Sequence, residues 1–204
     1  MALAAPWLLV TLACGLDRLT GDPIWCLHPV QVMGWWISVL RRPAEHGAGD
    51  NPCKLRLAGG LITALLVLGS AAAGWGLERL ALATQGPSSV LAMGLLLLAL
   101  ASALAGRSLE QAVERVLRAL PKATGANDSE ALAPARQALS WIVGRDTKDL
   151  SQAEILRALA ETASENGVDG LFAPLFWMLL GAGLWSLNPA WPGPLALAWG
   201  FKAA

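Results

Sequence analysis

The chain has 204 residues with 15 basic and 15 acidic side chains, so its formal net charge is zero and no basic surface argues for a nucleic-acid partner. Only 15% of the residues are charged while 55% are hydrophobic, with a mean hydropathy of +0.49; a soluble domain carries roughly 25% charge, and the deficit points to a membrane. Cys14, Cys26 and Cys53 lack CxxC spacing and indicate neither a zinc site nor a disulfide framework, and ten Trp with no Tyr suit interfacial belts without pointing to any chemistry.

From Ala2 to Leu16 there is no charge. The run is short against the roughly 20 apolar residues that span a bilayer. It has no basic stretch before it and no small-residue cleavage site after it, so it reads as a short first membrane segment rather than a signal peptide. In the following LDRLTGDPIWCLHPVQVMGWWI, Gly21-Asp22-Pro23 and His28-Pro29 are two boundaries. They fix a compact loop carrying Asp17, Asp22 and His28 beside an apolar segment. A structural reading stands next to the functional one: Asp17 pairing with Arg18 or capping a helix, Asp22 in an Asx-turn, His28 on a carbonyl.

Val30–Leu40 fits a short amphipathic helix closed by Arg41-Arg42, followed by a surface loop, PAEHGAGDNPCK. Leu57–Leu77 and, after Glu78-Arg79, Leu80–Gly106 are charge-free and are the strongest membrane spans, the second turning at Gln85-Gly86-Pro87. Arg107–Leu120 changes to an amphipathic helix with Glu110, Glu114, Arg115 and Arg118 on its polar side, a solvated or headgroup-facing surface. A polar linker, Pro121–Glu130, leads through ALAPARQALSWIV into the stretch richest in ionisable groups. Beyond Asp169 the chain is charge-free from Gly170 until Lys202, with breaks at Asn188-Pro189 and Pro192-Gly193-Pro194, the pattern of a helical hairpin through the membrane.

The polar stretch runs from Ser140 to Trp177, SWIVGRDTKDLSQAEILRALAETASENGVDGLFAPLFW. Ser151 and Glu154 have capping-box spacing, which predicts a helix starting near Ser151. Ile155, Leu156, Leu159, Ala160 and Ala163 form its apolar stripe, and Glu154, Arg157, Glu161 and Glu165 recur on the opposite face. Asn166-Gly167 predicts the stop, because both residues tolerate the left-handed conformation. Glu161 and Glu165 are like charges one turn apart, a cost that a cation such as a divalent metal relieves. No GxxxxGK[ST] loop is present, and Gly144-Arg145-Asp146-Thr147 is too short to count as one.

Basic residues concentrate on the cytoplasmic side of membrane proteins. Arg18, Arg41, Arg42, Lys54 and Arg56 lie between the first and second spans, only Arg79 between the second and third, and many more between Arg107 and Asp169. Alternating crossings place the 17–56 and 107–169 segments on one cytoplasmic face, where Asp17, Asp22 and His28 can approach Arg145, Asp146, Glu161, Glu165 and Asp169. The expected fold is all-α: a polytopic integral membrane helical bundle with amphipathic cytoplasmic helices. It forms a single membrane-embedded domain over 1–204 that includes a cytoplasmic helical segment, 107–169.

The succession LDRLTGDP, HPVQVMG, ARQALSWIVGRDT, EILRALAETASEN and DGLFAPLFW resembles the CobD/CbiB family, the adenosylcobinamide-phosphate synthases of cobalamin biosynthesis, over essentially the whole chain. The resemblance implies a ligase of the bacterial inner membrane, active on the cytoplasmic side. It would join a carboxylate of adenosylcobyric acid to (R)-1-aminopropan-2-ol O-phosphate or a related amino alcohol, with ATP and Mg²⁺. Its partners would be those substrates, the lipid bilayer and other cobalamin-assembly enzymes. On the positions the family motif marks, Asp17, Asp22, His28, Arg145, Asp146, Glu161 and Glu165 are the expected catalytic set, with His28 as a base. Arg145, Thr147, Arg157 and Asn166 are expected to contact phosphate or substrate, and Asp146, Glu161, Glu165 and Asp169 to hold metal. Family members continue with an Asn-Thr-Leu-Asp-Ser-Met type motif and further membrane segments where this chain ends at GFKAA, so a C-terminally truncated piece is expected.

Two rivals differ in class. A non-catalytic AmpE-like sensor has no need of carboxylates and arginines clustered beside the membrane. A transporter would place ionisable residues inside its spans, and none lies within Leu57–Leu77 or Leu80–Gly106.

Overall fold

A computed structural model describes residues 5–21, 29–121 and 129–204; these are helical throughout apart from turns and loops, with no strand among the described residues. The chain divides into two compact units, one made of Met1–Leu104 with Phe172–Ala204, the other of Ala105–Leu171.

In the first unit, α1 (Ala5–Thr20) runs past Leu16 through Asp17 and Arg18. It ends where Gly21, at φ +62°, donates its N–H to the Asp17 carbonyl at 2.8 Å, the left-handed stop that glycine supplies without strain. The helix predicted over Val30–Leu40 is longer: α2 spans Pro29–Ala48 and takes in the first half of the expected surface loop. Pro43 inside it removes only the N–H that would reach Val39, and an Arg41–Glu45 pair one turn apart, at 2.6 Å, bridges the spot. Gly49, at φ +56°, then turns the chain. Asn51 caps α3 (Pro52–Ala83), its Oδ1 accepting from Cys53 N at 3.0 Å and Lys54 N at 3.2 Å, with Pro52 pre-set for the first helical position.

No break occurs at Glu78-Arg79, and α3 continues for 32 residues. The turn lies instead at Gly86 (φ +70°), before α4 (Ser88–Ala101). Glu78 stays in the helix because it is not exposed: fully buried, it accepts from the backbone N–H groups of Gly193 at 2.9 Å, Leu195 at 2.7 Å and Ala196 at 3.2 Å. These are orphan donors at the start of α9 (Pro194–Ala203), which follows α8 (Ala173–Leu187) in the expected hairpin. The Trp75 indole donates to the Ala190 carbonyl at 3.2 Å and Arg79 to that of Pro189 at 3.1 Å, so α3 holds the whole hairpin turn. The buried Glu78 thus serves as a cap, and the transporter signature of a free ionisable group in a span does not apply to it.

Small residues let these helices touch backbone to backbone. A Cβ on Gly181 would fall 2.5 Å from the Gly193 carbonyl, and one on Gly74 would fall 2.9 Å from the Ala196 backbone. By length and composition two helical stretches can cross a membrane, α3 and the one spanning Gln152–Leu187; a third arises if α4 and the helix after it count as one broken span.

The second unit holds α5 (Gly106–Ala119), α6 (Ser129–Ser140) and α7 (Gln152–Gly167). Val116, Leu132, Ala135, Leu139, Ile155, Ala158 and Leu159 form its core. The buried face of α7 is Ile155, Ala158, Leu159 and Thr162, which keeps Ile155 and Leu159 of the predicted stripe, while Leu156 and Ala160 are exposed and Ala163 is half-buried. Thr162 can sit on that face because its hydroxyl donates to the Ile142 carbonyl at 2.9 Å, which satisfies the one polar atom it brings in.

α7 ends at Gly167 as predicted, but without the left-handed turn expected there, since neither Asn166 nor Gly167 has a positive φ. A π-helical turn, Val168–Phe172, carries the chain on into α8. Proline explains the widening. Pro174 has no N–H for the carbonyl of Gly170 and its ring crowds that oxygen, and Gly170 accepts from the Ala105 N–H at 2.9 Å instead.

Candidate functional site

The site is built on the loop between α6 and α7. Three contacts fasten that loop to its helices. Thr147 is only 4% exposed, and its hydroxyl donates to the Arg136 carbonyl at 2.9 Å. Arg136 Nε donates in turn to the Leu150 carbonyl at 2.8 Å. At its far end the capping box forms as expected, with Ser151 N–H on Glu154 Oε2 at 2.8 Å and Glu154 N–H on Ser151 Oγ at 3.4 Å. The Ser151 hydroxyl, followed by its N–H, holds the Glu154 carboxyl below the usual carboxylate range.

Between these anchors the loop presents Arg145 to the polar face of α7. Arg145 Nη2 donates to Glu161 Oε2 at 3.1 Å, and Arg157 Nε donates to Glu161 Oε1 at 3.0 Å. Each oxygen of Glu161 therefore serves one guanidinium. The hydrogen bond from Arg157 holds the Glu161 carboxyl below its usual value against desolvation, with a smaller contribution from Arg145. All three side chains are well exposed, and such pairs add little stability. Their effect is to fix where one net positive charge sits.

Beside this triad is a pocket of about 230 Å³ lined by Val143, Gly144, Arg145, Ala158, Glu161, Thr162 and Glu165. The structure thus brings Arg145, Glu161 and Glu165 together, with Arg157 behind Glu161. Asn166 stands one turn further along and donates to Thr162 Oγ1 at 3.2 Å, extending the chain of hydrogen bonds to Ile142. Asp146 is exposed and occupied with the loop itself, its Oδ1 accepting from Lys148 N at 3.1 Å in an Asx-turn. Thr147, expected to contact phosphate, has its hydroxyl turned to the α6 backbone and does not line the pocket. Asp169 is exposed on the π-helical turn. Asp17 is buried in α1 and belongs to the other unit. Asp22 and His28 lie outside the described residues.

The donor set decides whether these residues fit a resident divalent ion. Among the described residues no three His, Cys, Asp or Glu groups gather to hold a metal, and both oxygens of Glu161 are taken by arginines. The described residues do not fit one. Asp146, Glu161, Glu165 and Asp169 are not assembled into a metal centre here.

Sequence reasoning passed over Arg136 and Thr162. Thr162 was accessible, since the spacing 155, 158, 159, 162 is the i, i+3, i+4, i+7 face of a helix. Arg136 gave no local signal, because its role depends on a loop that returns 11 to 14 residues later.

The family described as CobD/Cbib protein matches residues 10–204. "Cobalamin biosynthesis protein CobD" of Pelobacter propionicus is 40% identical over 176 residues, 85% of this chain and 49% of that protein. "Cobalamin biosynthesis protein CbiB" of Salmonella typhimurium is 39% identical over 185 residues, 90% of this chain and 51% of its own length. "Cobalamin biosynthesis protein CobD" of Synechocystis is 39% identical over 189 residues, 93% of this chain and 51% of that protein. The chain spans about half the length of the curated relatives it matches. No solved structure matches. With its match running from residue 10 to the last residue, the chain belongs to the CobD/CbiB family.

Proposed function

We infer that this protein acts in cobalamin biosynthesis as an ATP-dependent, amide-forming ligase that joins adenosylcobyric acid to (R)-1-aminopropan-2-ol O-phosphate or a related amino alcohol. The observation that supports this most directly is the pocket formed by Arg145, Glu161 and Glu165, which gathers residues of the GRDT and AETASEN segments within a family-wide match. The names of the relatives supply the pathway.

The chemistry sets three requirements. A carboxylate becomes an acyl donor once ATP phosphorylates it, with ADP as the leaving group. The amine nitrogen then forms the C–N bond, the carbon–oxygen bond to phosphate breaks, and inorganic phosphate departs. The amine must also give up a proton, the role proposed for His28. Arg145, held in place by Glu161, is suited to bind a phosphate group. Mg²⁺ would enter with the nucleotide, as its usual carrier, rather than as an ion held by the described residues.

The finer architecture is part of the same proposal. The helices form a multi-pass bundle in the bacterial inner membrane, with the amphipathic segment 107–169 on the cytoplasmic side where ATP is available. The corrinoid, the amino-alcohol phosphate, the bilayer and other cobalamin-assembly enzymes are its partners. The test is expression of the full-length gene in a synthase-deficient strain. Restored formation of adenosylcobinamide phosphate is expected, and a membrane-inserted protein that restores none would overturn the reading in favour of a non-catalytic relative.

A further inference from the structure

The ligase reading leaves open which of three substrates meets the pocket beside Arg145. Its volume and charges decide among them. At about 230 Å³ it lies below the roughly 300–1,000 Å³ that drug-sized ligands fill. The pocket is open to solvent and matches a three-carbon amino-alcohol phosphate in size, whereas a nucleotide or a corrinoid would extend well beyond it.

The walls carry both signs of charge. Arg145 reaches the pocket from the loop and Glu165 from α7. Arg145 donates to Glu161 through Nη2 alone, so most of its five N–H groups stay available to a phosphate. Glu161 has no such freedom: Arg145 and Arg157 occupy both its oxygens, which makes it the residue that positions Arg145. The Glu165 side chain makes no hydrogen bond or ion pair among the described residues, so its carboxylate can face an ammonium group. The charged groups of the lining are Arg145, Glu161 and Glu165, and Arg157 neutralises Glu161 from behind. The wall offers a cation and an anion a short distance apart. A polyphosphate would meet Glu165 with like charge, while a zwitterion with phosphate at one end and ammonium at the other meets complementary charge at both.

We propose that this pocket is the subsite for the small amino-alcohol phosphate, the phosphate on Arg145 and the ammonium on Glu165, with nucleotide and corrinoid bound elsewhere. The proposal rests on the ligase reading and adds the substrate assigned to this pocket.

Steady-state kinetics of the full-length protein in membranes separate the alternatives. Arg145→Ala should raise KM for (R)-1-aminopropan-2-ol O-phosphate by about tenfold or more, the size of one lost charge-assisted hydrogen bond, while KM for ATP stays within about twofold. The same variant should raise KM for the phosphate-free amino alcohol several-fold less than KM for the phosphorylated one, because that probe presents no phosphate to the guanidinium. Glu165→Gln should weaken both amines alike. Should Arg145→Ala fail to accumulate, Arg145→Lys, which keeps the charge and loses the planar fork, is expected to show the same KM pattern at smaller size. Wild-type protein without ligase turnover would overturn the function and this subsite together. Ligase turnover in which these variants raise KM for ATP would overturn the subsite alone.

Discussion

Glu78 Oε1 accepts the backbone N–H of Leu195 at 2.7 Å, across 117 residues of chain, with Glu78 fully buried. One carboxylate thereby satisfies three donors at the start of α9. Replacing it by Ala would orphan all three and leave a void, and an unmet buried donor costs about 1–3 kcal/mol. Glu78→Ala should therefore lower the unfolding temperature in detergent by several degrees, whereas Glu78→Gln, which keeps one acceptor, should lower it less. Equal melting of all three proteins would refute the cap.

Close approach of backbones gives a second test. Gly181 has no room for a Cβ, which would sit 2.5 Å from backbone atoms of Gly193, while Gly76 in α3 faces open space. Overpacking of this kind costs typically 1–3 kcal/mol, and removal of a mid-helix glycine gains about 0.5–1 kcal/mol. Gly181→Ala should melt earlier than the parent protein and Gly76→Ala no earlier. Differential scanning fluorimetry reads the order directly.

Thr147 tests whether the loop is held or whether it binds. The residue is buried and its hydroxyl is spent on the Arg136 carbonyl. Thr147→Val keeps the shape and leaves that carbonyl without its donor, so amide exchange across 142–150 should quicken. Thr147→Ser restores the hydroxyl and should restore most of the protection. A direct phosphate contact would instead leave exchange unchanged in both variants without ligand.

The Glu161 carboxyl lies below its usual range, chiefly through Arg157 and then Arg145. A group depressed in the folded state contributes all of its stabilisation above the unfolded value and loses it as pH falls through the lower, folded one. The Arg145–Glu161 contact should therefore part at a lower pH than that at which an unpaired glutamate titrates. A ¹³C titration of the Glu161 carboxyl reads this, and Arg157→Gln should move its midpoint upward. An unmoved midpoint would show that Arg157 does not hold the carboxylate.

Local signals in the sequence were read well and long-range ones were not. The Ser151–Glu154 capping box, the turn at Gly86, the α8–α9 hairpin and the start of the amphipathic helix near Arg107 each depend on a few neighbouring residues, and all are present. Glu78-Arg79 looked like a boundary because charge normally leaves an apolar span; only the N-terminus of α9, more than a hundred residues away, makes a buried glutamate stable there. Asn166-Gly167 looked like a left-handed stop because both tolerate that conformation, but Pro174 and Ala105 N–H turn the same place into a π-helical passage. Within the candidate site, the polar face of α7 was legible from periodicity. The pairing of both Glu161 oxygens with arginines was not, since it needs Arg145 to fold back from 16 residues earlier.

The central claim is that the protein activates a carboxylate with ATP and transfers it to an amine. The most direct measurement follows the carboxylate oxygens of adenosylcobyric acid labelled with ¹⁸O, incubated with ATP, the amino-alcohol phosphate and membranes carrying the full-length protein. The account predicts adenosylcobinamide phosphate together with one ¹⁸O atom in each inorganic phosphate released. Product formed without ATP, or phosphate released without the label, would contradict it.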